Sequence, residues 1–262
     1  LPESDLDLLL RAARAAAEVA TTFIGGDLDV REKEGDQGPV TAADIAVNEV
    51  LEDTLRTARP AYGWLSEESP HDPLRLTSPS TFIIDPIDGT RSFIDGSDTW
   101  AHSLAIAEAG EITAAVVYLP MRDKLYAAEK GGGAELNGSA IRTTSRAEIA
   151  GAQFLATKPN IDPKHWPEGV PPFHRSHRPS LAYRMCLVAD GSFDGMLTFR
   201  DAWEWDIAAG TLIVAEAGGR ATDRAGQEMR FNLPSALQNG VVAGGPAMWD
   251  STMAALGHGP SV

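Results

Sequence analysis

The chain has 262 residues, 43% of them hydrophobic, enough for one large domain or two smaller ones packed closely together. Lys plus Arg number 22 against 37 Asp plus Glu, and the formal net charge of -15 makes most of the surface repel a nucleic-acid backbone, so polymeric DNA or RNA is not an expected partner. A small phosphorylated molecule stays open, because bound divalent cations reverse the field of an acidic cleft.

No apolar run approaches the roughly 20 residues that a membrane span needs. The opening stretch "LPESDLDLLLRAARAAAEVA" places acids before its apolar residues and has no basic leader, so the expected location is cytoplasmic. The single cysteine, Cys186, forbids an internal disulfide and any CxxC site, and in "YRMCLVADG" it reads as a small buried hydrophobe.

Ser4 followed by Asp7 resembles a capping box, and Leu6, Leu9, Leu10, Ala13, Ala17 and Ala20 recur at helical spacing, predicting a first helix that ends near Gly25 and Gly26. A second helix is predicted from Thr41, carrying Ile45, Val47, Val50, Leu51 and Leu55 until Pro60 stops it. "YGWLS", "TFIID", "HSLAIAEAG", "EITAAVVYLP" and "KLYAAEK" then read as strands of an antiparallel meander, followed by a hairpin turning at Asn137-Gly138. After Ala150 the pattern alternates: a strand in "AQFLATKP", a helix in "SLAYRMCLVADG", a strand in "DGMLTF", and a helix in "WDIAAGTLIVAEAGG" closed by Gly218 and Gly219. The Pro-rich segment "NIDPKHWPEGVPPFHRSHRPS" between them is expected to be irregular, exposed and able to face a substrate.

Four acidic stretches invite a chemical reading, and each has a plain alternative. Asp44 in "VTAAD" is placed to serve a helix start, Glu67 and Glu68 in "WLSEES" to sit solvated in a loop, and Asp206 in "WDIAAG" to meet a helix dipole. "FIIDPIDGTR" is harder to explain blandly, because a buried strand that runs into Asp85 and Asp88 leaves carboxylate charge in poor contact with water. Pro86 stiffens that turn, Gly89 opens backbone amides to close approach, and a helix starting near Thr90 would offer free amides to a phosphate. Hard cations such as Mg2+ prefer carboxylate oxygens, and two of them roughly 3.5 to 4 Å apart clamp an in-line phosphoryl transfer.

Taken together, Lys33, "VTAAD", "SEES", "DPIDGTRSF", "GGGAELNG" and "EWDIAAGTLIVAEAGG" resemble, in that order and over roughly residues 30 to 245, the inositol monophosphatase superfamily of Mg2+-dependent, lithium-sensitive phosphatases. The resemblance implies a layered αβαβα sandwich of mixed α+β and α/β character. An N-terminal α+β subdomain over residues 1–148 would hold an antiparallel sheet and most metal ligands, and a C-terminal α/β subdomain over 149–262 would supply Asp206 and substrate contacts. It implies a first Mg2+ on Glu67, Asp85 and the Ile87 carbonyl, a second on Asp85, Asp88 and Asp206, and a third, weaker ion leaning on Glu67. Thr90, polarised by Asp44, would orient the attacking water, Glu68 would assist proton removal, and amides near Gly89 and Thr90 would hold the phosphate. Lys33 would either tune the charge of this centre or lie solvated at the surface.

The ester is read from two departures. Where inositol-specific members carry a Glu before the "WD" motif, this chain has Phe199, and Arg184 stands where nucleotide-cleaving relatives have Lys. The reading therefore leans to 3'-phosphoadenosine 5'-phosphate as substrate, that is, to 3'(2'),5'-bisphosphate nucleotidase activity, with inositol 1-phosphate or another sugar or polyol phosphate as alternative. A regulatory binding protein on the same fold is the rival from another class. The basic cluster His174, Arg175, His177 and Arg178 reads first as a solvated loop and second as an anion site, and the two histidines lack a third nitrogen or sulfur partner for a metal. A homodimer is expected from the resemblance.

Overall fold

The computed structural model describes residues 3–33 and 38–258. Helix α1 (Asp5–Thr21) begins where the Ser4 hydroxyl accepts the Asp7 amide, and it buries Leu8, Leu9, Ala12, Ala13, Ala16 and Ala20. It stops at Thr21 rather than at Gly25, because the Thr21 and Thr22 hydroxyls donate back to the carbonyls of Ala17 and Val19 as the last turn loosens. After a two-stranded ribbon of β1 (Arg31–Glu32) and β2 (Pro39–Val40), helix α2 (Ala42–Ala58) packs its Ala43, Val47, Leu51 and Leu55 beside α1. Ile45, expected on the buried face, is 43% exposed, because the buried stripe runs through Ala43, Val47 and Leu51 instead.

The first large sheet has seven strands in chain order: β3 (Gly63–Ser66), β4 (Ser80–Asp88), β5 (Ala101–Glu108), β6 (Glu111–Leu119), β7 (Lys124–Glu129), β8 (Gly133–Leu136) and β9 (Ser139–Ala140). It departs from a pure meander in one place, where β3 pairs parallel with β4. The β8–β9 turn has Asn137 and Gly138 both at positive φ, as a tight hairpin requires. Every residue of β4 is buried, since Phe82 and Ile84 pack toward α1 and α2 while Ile83 packs toward the opposite layer. Two covered faces explain why the stretch before Asp85 is apolar without alternation. After β4 a single turn and a half of helix, α3 (Thr90–Ile94), leads into β5.

The second sheet is built from β10 (Gln153–Leu155), β11 (His174–Ser176), β12 (Gly195–Thr198), β14 (Arg220–Thr222) and β16 (Val241–Gly244), in the order β11-β10-β12-β16-β14. A short ribbon of β13 (Ala202–Trp203) and β15 (Leu237–Gln238) stands beside it. Helices α4 (Leu181–Ala189) and α5 (Glu204–Glu216) lie between the two large sheets and bury side chains with both, and α6 (Pro246–Ala255) covers the far face of the second. The result is five layers, αβαβα. The Pro-rich segment is less irregular than its composition suggests. It forms short 3-10 turns at Lys158–Ile161 and Pro163–His165, buries Trp166 with its indole N–H on the Asn160 carbonyl, and adds His174–Ser176 to the sheet edge. Cys186 is fully buried, as expected of a small hydrophobe.

Candidate active site

Three segments far apart in sequence meet where β3, β4 and α5 end or begin. The carboxylates of Glu67, Asp85 and Asp206 each present an oxygen within 4.8 Å of the others, and this is the one such acidic or ligand-type cluster among the described residues. Glu67 follows β3, its amide donating to the Ile84 carbonyl, so it is held beside the end of β4. Asp206 is placed in the first turn of α5, which is pinned to β5 by the Ser103 hydroxyl on the Trp205 carbonyl at 2.8 Å. Asp85 is 1% exposed and accepts the Ile87 amide on Oδ1 at 3.0 Å.

Like charges held so close resist ionisation. Burial first, then the charges of Glu67, Asp88, Asp206 and Glu68, push the Asp85 carboxyl well above the ordinary range, and burial with Asp88 and Glu67 does the same to Asp206. The donor set is all oxygen. Magnesium and calcium take oxygen ligands, so the trio offers the donor chemistry of a hard divalent cation site. Such a cation would remove the repulsion that now raises these groups.

Lys33 lies against this cluster rather than in solvent. Its Nζ donates to Glu67 Oε1 at 2.8 Å and Glu68 Oε1 at 2.5 Å, making it a tethered counter-ion. Glu68 is pushed up to about 7 by burial and the Glu67 charge, with Lys33 opposing. A carboxylate poised near neutrality is suited to exchanging a proton.

Asp44 uses each of its oxygens for a different contact. Oδ2 accepts the Thr41 amide at 2.8 Å and hydroxyl at 2.6 Å in the capping box of α2, while Oδ1 accepts the Thr90 hydroxyl at 3.2 Å. Thr90 Oγ1 is equally near the Ile87 carbonyl, 3.2 Å. Its one proton favours the charged acceptor, Asp44, which leaves the Ile87 lone pairs to other partners. Gly89 caps α3 at φ 98°, a conformation that only glycine adopts without strain.

Asp88 is near the cluster but turned from it. It accepts the Ser180 hydroxyl at 2.6 Å, the Ala182 amide at 2.7 Å and, weakly, the Leu181 amide at 3.4 Å, so it anchors the start of α4. Burial raises it to about 6, with the Ser180 and Ala182 bonds opposing. Arg184, 4% exposed, donates through Nε to the Arg178 carbonyl and through one Nη to the Pro179 carbonyl, with His177 Nε2 at 3.0 Å. Burial lowers it to about 10, while the charges of Asp88 and Asp206 support it. Phe199 packs on His165 and Trp166. His174 and Arg175 belong to the edge strand β11, Arg175 donates to the Ala156 carbonyl, and Arg178 stacks over Phe193.

Sequence reasoning passed over Ser180 and Arg200. Ser180 had a legible signal, as the N-cap of α4, but its bond to a residue 92 positions away had none. The charge of Arg200 reaches Asp206, and only the folded chain brings it there.

Comparison with known proteins agrees with this geometry. The model of the inositol monophosphatase family matches residues 2–258. The chain is 36% identical over 198 residues to the inositol-1-monophosphatase of Rhizobium meliloti (strain 1021), covering 71% of this chain and 73% of that protein. It is 33% identical over 262 residues to the Nus factor SuhB of Escherichia coli (strain K12), covering 95% and 94%. Among solved structures, the IMPase of Thermotoga maritima superposes with a TM-score of 0.83 at 27% identity, covering 96% of each chain. The extragenic suppressor protein suhB of Bartonella henselae does so at 0.82 and 28%, covering 95% of this chain and 97% of that one. A family match over nearly the whole length, carried by a fold that gathers its acids at one point, makes this chain a phosphatase and a member of the inositol monophosphatase family.

Proposed function

We propose that the protein is a divalent-metal-dependent phosphomonoesterase that hydrolyses a small sugar or polyol phosphate, of which inositol 1-phosphate is the leading candidate. The observation that carries this reading is the convergence of Glu67, Asp85 and Asp206 within 4.8 Å from three separate segments. With the Ile87 carbonyl and Asp88 they would hold two to three Mg2+ ions. Bound divalent ions supply the positive charge that screens the ester from the acids and eases deprotonation of water.

The chain's own groups do the rest. Thr90 spends its proton on Asp44 and keeps a lone pair to accept from, and so orient, the attacking water. Glu68 would take the proton that the water loses, and Lys33, donating to Glu68 Oε1, holds it in place. The backbone around Gly89 and Thr90 receives the phosphate. Ser180 and Ala182 fix Asp88 through its Oδ2 at the start of α4.

The bisphosphate reading keeps one supporting observation: the Arg184 charge is felt at Asp88 and Asp206, where a second phosphate would gain from it. It loses weight because Arg184 already spends donors on two backbone carbonyls. A regulatory binding protein on the same fold would not need this acid set. We take the working form to be a cytoplasmic homodimer inhibited by lithium, to be checked by light scattering and by lithium titration of turnover.

The deciding experiment is phosphate release from inositol 1-phosphate, 3'-phosphoadenosine 5'-phosphate, fructose 1,6-bisphosphate and histidinol phosphate, with Mg2+ and with EDTA. Turnover of the first that needs metal is expected. Preference for the second would revive the nucleotidase reading, and no metal-dependent release from any would favour a binding protein.

A further inference from the structure

We propose that His102 is a positioning residue for the acid cluster: its Nδ1–H holds the Pro86 carbonyl and so fixes the bulge that aims Asp85 and the Ile87 carbonyl. The inference rests on the phosphatase reading of that cluster.

The register of β4 against β5 locates the bulge. Asp85 stands opposite Ser103 and Asp88 opposite Ala101, so His102 alone faces both Pro86 and Ile87. Two residues against one break the ladder, and Pro86 brings no N–H with which to mend it. The Pro86 carbonyl, buried in the same strand, then needs a donor from elsewhere. The His102 ring supplies it, with Nδ1 at 2.5 Å.

A carbonyl only accepts, so the proton must be on Nδ1. Nε2 is left with a lone pair that has no partner among the described residues, in a side chain that is 0% exposed. An aliphatic residue would fill this space without an unpaired acceptor, so packing does not account for an imidazole here. The Nδ1 bond does. The ring cannot easily turn away from it, because it meets Trp100 edge-on at 5.4 Å, and Trp100 meets Phe93 of α3 at 5.0 Å.

What the bond holds is the geometry of the centre. Immediately after Pro86, the Ile87 amide donates to Asp85 Oδ1, and the Ile87 carbonyl lies 3.2 Å from the Thr90 hydroxyl. A bulge free to relax would rotate this peptide unit and disturb Asp85, Ile87 and Thr90 together.

Three variants separate a positioning role from a filling role. His102→Asn keeps an N–H close to the place of Nδ1, His102→Gln moves it outward toward the place of Nε2, and His102→Leu removes it. Each is titrated with Mg2+ alone by thermal shift, and kcat and KM are measured for inositol 1-phosphate. We expect Asn to stay within about threefold of the parent in apparent Mg2+ affinity and kcat, and Gln and Leu to lose about tenfold or more in both, with KM moving less. In EDTA the Asn and Gln variants should melt within a few degrees of each other. Equal affinities for Asn and Gln, or parental affinity in all three, would overturn the proposal, and if the Leu variant fails to fold the Asn and Gln pair still decides. Nitrogen-15 spectra of the parent give an independent reading, since a proton on Nε2 instead of Nδ1 would also refute it. A parent protein that neither binds Mg2+ nor releases phosphate would instead refute the phosphatase reading, and the tautomer would still report on the Pro86 bond.

Discussion

Two acids on the same turn of α5, the buried Glu204 and the half-buried Asp206, are treated in opposite ways. Glu204, 0% exposed, accepts the Asn232 amide at 2.7 Å, the Leu233 amide at 2.9 Å and the Gln238 side chain at 3.4 Å, with Arg75 near enough to oppose the effect of burial. Arg75 closes the network on the Leu233 carbonyl at 2.8 Å and on Asn232. Asp206 faces Asp85 and Glu67 instead. A buried carboxylate surrounded by donors is a structural device, whereas carboxylates left facing one another hold a place for positive charge from outside.

The contrast is sharpest if each acid is neutralised. Asp85→Asn should lower metal-dependent turnover by about a thousandfold, yet melt no lower than the parent in EDTA, because it removes an acid whose ionisation the metal-free fold opposes. A variant that still turns over, or that unfolds, would erase the distinction. Glu204→Ala should do the reverse, losing about 3 kcal/mol in urea denaturation while keeping far more activity per folded molecule than the Asp85 variant.

Acidity tests the same contrast without mutation. Glu68 is raised to about 7, Asp88 to about 6, and Asp85 and Asp206 are also raised, so the folded chain holds protons there that the unfolded chain has released. These groups stabilise the metal-free fold at low pH, and that stability is lost as pH climbs from the unfolded values toward the folded ones. His102, lowered to about 4 by burial, works the other way between about 4 and its ordinary value. Burial also lowers His71 and His177 and raises Asp44 and Glu204; the raised acids outweigh the imidazoles, so in EDTA the melting temperature should fall by about 5 °C from pH 5.5 to pH 7.5, and Mg2+ should shrink the difference. A metal-free protein that gains stability across that interval would contradict the picture. The smallest effect is expected from Lys33→Met, which should cost the metal-free fold about 1 kcal/mol and tighten Mg2+ binding a few-fold by calorimetry. Weaker binding in that variant would mean that Lys33 helps to hold the ion instead of standing in for it.

Much of this was legible in the chain because it is written locally. The caps of α1, α2 and α4, the Asn137-Gly138 turn and the continuous apolar run of β4 are short-range patterns, and "DPIDGT" announced its stiff turn. Ile45 was misjudged because periodicity gives the width of a buried stripe but not its centre, which the neighbour α1 sets. The Pro-rich segment was misjudged because Trp166 and the edge pairing of His174–Ser176 depend on partners distant in sequence. The same holds for the engagement of Asp88 by Ser180 and of Arg184 by backbone carbonyls, since whether a charged side chain is spent or available is a property of the assembled layers.

Asp44 does two jobs at once, and this bears on how any scan of the site is interpreted. Truncating it would fray the start of α2 and untether Thr90 in the same stroke, so a dead enzyme would not distinguish a damaged scaffold from missing chemistry. Thr41→Val strips the hydroxyl from one side of that carboxyl only, and comparing the two variants apportions the loss between architecture and reaction.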